Sequence, residues 1–134
     1  MELQEIDRET ALSGLLDQIP ERIKKISEKR DSFLTDTVLL GEIPSPTYGE
    51  DERIRAVVDR FRENGLSSPT IDEFGNASAH LPGTEGQSSI LVMAHADSVF
   101  SREVRHEIQV GSGHMCGPGI ADNALGLAAM IALP

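Results

Sequence analysis

The chain is poor in the features that mark secreted and membrane-spanning proteins. Its 134 residues include a single cysteine, Cys116, so no disulfide can form within the chain. No run approaches the roughly 20 apolar residues that a membrane-spanning helix needs. The acidic start Met1–Glu5 lacks the basic and apolar plan of a signal peptide. We therefore expect a cytoplasmic protein without a membrane partner.

Basic residues are scarce as well. The 12 lysines and arginines are outnumbered by 22 aspartates and glutamates, which gives a formal net charge of −10 at pH 7. The acidic residues are spread along the chain, and this distribution argues against nucleic acid or an anionic membrane surface as a partner. The length and the hydrophobic content of 39% are sufficient for one small domain with a core.

The first part of the chain is predicted to be helical. Apolar residues recur every three or four positions from about Asp7 to Leu40, which is the pattern of a helix stripe. Pro20 is expected to separate a first helix from a longer second one, and Ile43–Pro46 to follow the second. We expect this helical segment, residues 1–40, to precede an α/β domain at residues 41–134.

One helix and several short strands are predicted beyond Leu40. Thr47–Glu50 fits a capping box, and the helix after it has apolar residues at helical spacing until Asn64-Gly65 closes it. Short runs bounded by turn residues predict strands at Thr70 to Phe74, Ala77 to Leu81 and Ser89 to Ala94, with weaker candidates at Val104 to Val110 and around His114 to Cys116. This mixture predicts an α/β fold.

Two polar side chains follow the apolar run Ser89 to Ala94, which predicts a buried strand. In open α/β sheets ligands bind beyond the carboxyl ends of strands, so His95 and Asp97 indicate a site. A carboxylate two positions from an imidazole can hold its second nitrogen and raise its basicity as a ligand. The alternative is that His95 is a structural or simply solvated histidine.

A second polar feature is Asp122, at the end of the glycine-rich loop Gly117–Asn123. The helix predicted at Ala124 to Leu133 is apolar all round, which is typical of a buried helix. Asp122 is placed either to cap that helix or to face the same crevice as His95. Imidazole and carboxylate are both zinc ligands.

Together these two motifs resemble the M20 family of metallopeptidases, which includes dizinc aminopeptidases, carboxypeptidases and deacylases. The resemblance rests on His95–Val99, then Gly117–Asn123 with a small-residue helix, and upstream on Ile43–Pro46 with Gly49-Glu50. It implies the N-terminal portion of a three-layer α/β/α zinc-peptidase catalytic domain, preceded by N-terminal helices.

The resemblance also implies roles for individual residues. His95 would ligate one metal ion, Asp97 would act in catalysis by holding the His95 ring, and Asp122 would bridge two metal ions. The bond between Asp122 and Asn123 would be a cis peptide. Two zinc ions are the expected cofactors, with cobalt or manganese as alternatives, and the expected substrate is a small peptide or an N-acyl amino acid.

The sequence departs from the family pattern after Asp122. The family's site also needs a Glu-Glu pair, a further acidic ligand and a distal histidine, and no Glu-Glu pair occurs in this chain. We therefore expect the first part of a longer enzyme, inactive by itself. The alternative is a non-catalytic fragment or interaction module. An apolar helix without covering strands further predicts a homo-oligomer or aggregation.

Four other residues are weaker candidates for a substitute metal site. Their spacing matches no repeated zinc pattern. His80 and His106 are expected to be solvated and Cys116 to be a small buried residue, and His114 lies beside Cys116 in the last predicted strand.

Overall fold

A computed structural model describes residues 8–83 and 88–134, so the acidic start Met1–Glu5 lies outside the described residues. By its internal contacts the chain divides into two compact units, Met1–Asp31 and Ser32–Pro134. None of the helices in the described part of the chain has the length and apolar character of a membrane span.

The first unit contains helix α1, Arg8–Glu28. The expected boundary at Pro20 is wrong, because α1 continues through this residue. A proline removes one backbone hydrogen bond, and ion pairs one turn apart, such as Glu21 with Lys25 at 2.9 Å, support the helix beyond it. The helix ends before Lys29, whose N–H donates to the carbonyl of Ile26.

The second unit holds the remaining elements around a small core, except for the first two residues of α2 (Arg30–Glu42). Helices and strands follow in the order α2, α3 (Asp51–Glu63), β1 (Ser67–Ile71), β2 (Ala77–His80), β3 (Gln109–Gly111), β4 (His114–Cys116) and α4 (Leu125–Ile131). Strands β1 and β2 form one antiparallel pair, and β3 and β4 form another. The mixture confirms the α/β class and is consistent with part of an α/β peptidase domain.

The core joins α2, α3 and the region of α4. Its apolar members are all nearly inaccessible to solvent: Leu40, Val57, Phe61, Ala124, Leu127 and Ile131. Burial of each large side chain contributes about 1.5–3 kcal/mol. The spacing of the apolar residues on α3 predicts this helix, and its closure at Asn64 and at Gly65 (φ 75°) is also as expected.

Arg53 on α3 is the largest of the fully buried side chains, with 0% exposure. Its guanidinium donates from Nη1 to the carbonyl of Ala96 at 2.9 Å and from Nη2 to the carbonyl of Ile43 at 2.6 Å. Burial lowers the pKa of Arg53, and the negative charge of Asp97 opposes that change. The segment that carries His95 is thereby fixed to α3.

The expected buried strand at Ser89 to Ala94 is wrong. Ile90 is 90% exposed and Leu91 81%. A strand needs a backbone partner, and within the described residues no strand pairs with this segment. Its sequence has the apolar content of a buried strand, but the neighbours that would bury it are not present among these elements.

Strand β1 begins and ends three residues earlier than predicted. Asp72 stops it, because its carboxylate accepts the backbone N–H groups of Phe74 at 2.9 Å and Asn76 at 2.8 Å. These bonds fold the chain into a tight Asx turn and lower the pKa of Asp72, with the Asn76 side chain having the largest effect. Of the predicted strand at Val104 to Val110, only the last two residues belong to β3.

We expect Arg53→Ala to lower the free energy of unfolding by about 3 kcal/mol, because buried carbonyls lose a charged donor. Urea denaturation measures the loss. Arg55→Ala is the matched control, since Arg55 lies two residues further along α3 and is exposed, and a change within about 0.5 kcal/mol is expected there. Equal losses in the two variants would contradict the anchoring role.

Candidate metal centre

The structure places the imidazole of His95 between two carboxylates. Its Nδ1 lies 3.0 Å from Oδ1 of Asp97, and its Nε2 lies 2.9 Å from Oδ1 of Asp122. The three residues singled out from the sequence are therefore brought together, although 25 positions separate Asp97 from Asp122. Their roles as metal ligand, positioning carboxylate and bridging ligand stay predictions.

The backbone between His95 and Asp97 is held from two sides. The carbonyl of Ala96 accepts hydrogen bonds from the hydroxyl of Ser45 at 2.8 Å and from Arg53. Ser45 is itself fully buried. Both donors come from the region around the start of α3, so this region orients the two side chains of the site.

Thr47 contacts the site, although the sequence pattern placed it in a capping box at the start of α3. Its hydroxyl donates to Oδ2 of Asp97 at 2.9 Å. The expected capping box is wrong, because the residue preceding α3 is Glu50 and no side chain caps the helix. Glu50 instead accepts the N–H of Tyr48 at 2.8 Å. A threonine just before a helix is ambiguous in sequence, and no other signal distinguished the two roles.

The loop before α4 presents Asp122 with extended backbone angles, φ −139° and ψ 87°. Asp122 is not the N-cap, because α4 begins after Ala124 and has no side-chain cap. The peptide bond between Asp122 and Asn123 is cis, as predicted. The amide of Asn123 donates to the carbonyl of His95 at 3.2 Å and ties the loop to the other half of the site.

Two glycines make this loop conformation possible. Gly119 adopts φ 70°, and a Cβ there would lie 2.9 Å from the hydroxyl oxygen of Ser98. Gly126 faces the side chain of Asn123, which would collide with any Cβ at that position. Small residues at both places therefore allow the loop to approach the His95 segment closely.

The charges of the site favour a cation between the carboxylates. Partial desolvation lowers the pKa of His95, but the hydrogen bonds and charges of Asp97 and Asp122 outweigh it and raise the pKa above its ordinary value. The hydroxyl of Thr47 has the largest effect on Asp97 and, together with His95, lowers the pKa of that carboxyl. The position between Nε2 of His95 and Asp122 thus suits a proton or a metal ion.

The two donors fit zinc in type and in spacing. A tetrahedral zinc ion with ligands at about 2.0–2.1 Å separates two ligand atoms by about 3.3 Å. The 2.9 Å between His95 Nε2 and Asp122 Oδ1 needs only a small opening to reach that value. In residues 8–83 and 88–134, however, no three acidic, histidine or cysteine side chains form a group that could hold a metal ion. A catalytic zinc usually has three protein ligands.

The other candidate ligands lie apart from this centre. The expectation for His106 is wrong, because it is buried at 6% exposure and its Nε2 donates to the carbonyl of Ser101 at 2.9 Å. With the bond from the N–H of Val104 to the same carbonyl, it belongs to a turn and not to a strand. Cys116 is exposed and not buried, because β4 belongs to a two-stranded hairpin with little covering it. His80 and His114 are exposed in β2 and β4.

Comparison with known proteins supports the chemical class of this centre. Residues 76–133, which include His95, Asp97 and Asp122, match the model of peptidase family M28. The match covers less than half of the chain, so it shows a similarity to that family. It supports a metallopeptidase of the zinc aminopeptidase type and not specifically the M20 family. A comparison with curated proteins found no match.

We expect His95 of the metal-free protein to titrate above the ordinary histidine pKa of about 6.5. Asp97→Asn and Asp122→Asn should each lower that pKa, because each removes a negative charge at hydrogen-bond distance from the ring. NMR titration of the imidazole resonances measures the shift. Asp59→Asn, which removes an exposed carboxylate of α3, is the control and should leave the His95 titration unchanged. An unchanged His95 titration in both variants would contradict this electrostatic account.

Proposed function

We propose that this chain carries the zinc-binding part of a metal-dependent hydrolase of peptide or N-acyl amide bonds. One observation supports the proposal above all others: the His95 imidazole has Asp97 on one nitrogen and Asp122 on the other, at 3.0 and 2.9 Å. A carboxylate behind a ligating histidine is the usual support of zinc-bound imidazole. The similarity to a metallopeptidase family over the same residues agrees with it.

In this proposal His95 and Asp122 are zinc ligands and Asp97 is the carboxylate that holds the ring. Asp97 accepts the hydrogen on Nδ1, which leaves the lone pair of Nε2 for the metal. Asp122 meets His95 through Oδ1 and is 79% exposed, so Oδ2 is the candidate ligand of a second ion. A bound zinc pair polarises a substrate carbonyl and lowers the pKa of bound water.

The residues described here supply only part of such a centre. We propose that the further ligands and the general base come from other polypeptide, because residues 8–83 and 88–134 contain no group of three acidic, histidine or cysteine side chains that could hold a metal ion. A short peptide or N-acyl amino acid substrate and the finer M20 assignment belong to the same proposal. The domain division at residue 40, the cytoplasmic location and the absence of a nucleic-acid partner stay predictions.

Zinc binding tests the proposed function directly. We expect the chain to bind zinc weakly, with one ion at most, because two protein ligands are fewer than a catalytic site uses. His95→Ala should weaken binding by more than about tenfold, because losing a ligand costs at least as much as losing the group that supports one. Isothermal titration calorimetry measures both affinities, and cobalt absorption spectra report the coordination.

The control for this experiment is His80→Ala, which removes an exposed histidine from β2 and should leave zinc affinity unchanged. Equal zinc affinity in wild type, His95→Ala and Asp122→Asn would refute the site. Tight binding of two zinc ions together with peptide cleavage would refute the proposal that this chain supplies only part of the zinc ligands.

The alternative of an interaction module is favoured by one observation. The segment around Ile90, Leu91 and Met93 exposes large apolar side chains, each more than three quarters exposed. Contiguous exposed apolar surface promotes association between chains. We propose that the chain self-associates through residues 90–93, the apolar segment.

We expect light scattering of the purified chain to show oligomers or aggregates. The double variant Ile90→Ser with Leu91→Ser should raise the monomer fraction, because it removes apolar surface from the apolar segment. Val110→Ser is the control, since Val110 is a single exposed apolar residue in β3. A monodisperse wild-type monomer with a cooperative melt would contradict self-association.

A further inference from the structure

The loop before α3 runs beside the segment that carries the site. Pro46 and Ser98 form a parallel bridge, and the N–H of Ser98 donates to the carbonyl of Ser45 at 2.7 Å. The hydroxyl of Ser45 donates in turn to the carbonyl of Ala96. Backbone bonds therefore fix the register of the two segments, and Thr47 lies at a defined position opposite Asp97.

Thr47 and His95 contact different oxygens of the same carboxylate. The Thr47 hydroxyl donates to Oδ2 of Asp97 at 2.9 Å, and His95 Nδ1 lies 3.0 Å from Oδ1. With both oxygens engaged, rotation of the Asp97 carboxylate would break one of the two contacts. The carboxylate is held in the plane in which it meets the imidazole.

This anchoring matters because two carboxylates compete for one hydrogen. A neutral imidazole carries its hydrogen on one nitrogen, and His95 has Asp97 at Nδ1 and Asp122 at Nε2. Only the form with hydrogen on Nδ1 leaves Nε2 available as a ligand. Asp122 is 79% exposed against 37% for Asp97, so the better held acceptor is on the Nδ1 side.

We propose that Thr47 is a positioning residue that acts through Asp97 to hold the His95 imidazole in the tautomer whose Nε2 can bind metal. The proposal deepens the proposed function, and the expected effect of Thr47 on zinc affinity rests on that function. The expected effect of Thr47 on the position of the ring hydrogen is a property of the metal-free chain.

The local backbone supports a dedicated role for this hydroxyl. A threonine at this place could cap α3, but α3 has no side-chain cap. Tyr48 adopts a positive φ of 67°, and its N–H is satisfied by Glu50. The chain thus leaves Thr47 outside the helix start, where its hydroxyl reaches Asp97 and not a helix N–H group.

The test compares Thr47→Val, which keeps the shape and removes the hydroxyl, with Thr47→Ser, which keeps the hydroxyl. Thr47 is exposed, so both variants should remain folded. The first measurement is the ¹⁵N shifts of the His95 ring in metal-free protein, at a pH above the end of the His95 titration, because the two carboxylates raise the pKa of this ring. The shifts report which nitrogen carries the hydrogen.

In wild type and Thr47→Ser we expect the hydrogen on Nδ1, whereas in Thr47→Val the two ring shifts should move toward each other as the tautomers mix. Zinc affinity should fall about tenfold in Thr47→Val and be rescued in Thr47→Ser. Thr70→Val is the control, because its hydroxyl pairs with Ser78 on the β1–β2 sheet.

Unchanged ring shifts in folded Thr47→Val would overturn the inference. So would an equal change in Thr70→Val. If the ring shifts move in Thr47→Val while the wild-type chain binds no zinc, the positioning role is supported and the proposed function fails. The two failures are therefore distinguishable.

Discussion

The carbonyl of Ala96 is the point on which the arrangement of the site depends. It accepts hydrogen bonds from the hydroxyl of Ser45 and from the buried guanidinium of Arg53, and its two neighbours in sequence are His95 and Asp97. The strand expected upstream of it is exposed and unpaired among the described elements. The site is thus oriented by donors from the α3 side, because neither of the two sheets in residues 8–83 and 88–134 reaches the segment.

The chemistry of the site follows from placing one imidazole between two acids. In the proposed metal centre, the same two carboxylates that raise the pKa of His95 would also attract a metal ion, so protons and metal would compete for Nε2. A raised pKa means that this competition extends to higher pH than for an isolated histidine. Asp122 does not cap the helix that follows it, and its carboxylate instead lies 2.9 Å from the His95 ring.

Local patterns in the sequence predicted the elements whose backbone hydrogen-bond partners lie close by in sequence. The apolar spacing on α3 and its closure at Asn64 are examples, because a helix satisfies its own backbone. The segment Ser89 to Ala94 shows the opposite case: its composition indicates a buried strand, but burial depends on neighbours that composition does not supply. The sequence left open whether Asp122 caps the following helix or faces the same crevice as His95, and the metal-binding roles that the resemblance implied agree with the second. The contact of Thr47 with Asp97 was not predicted, since a hydroxyl before a helix has two equally ordinary partners.

The short distance between Asp122 and the start of α4 has a consequence for the site. Ala124 is completely buried, and with Leu127 it seats α4 in the core, so the packing beneath the helix sets how far the loop extends toward His95. The packing of Ala124 in the core therefore helps to set the distance between Asp122 and His95. A larger side chain at Ala124 would change that distance without altering either of the two residues that face each other.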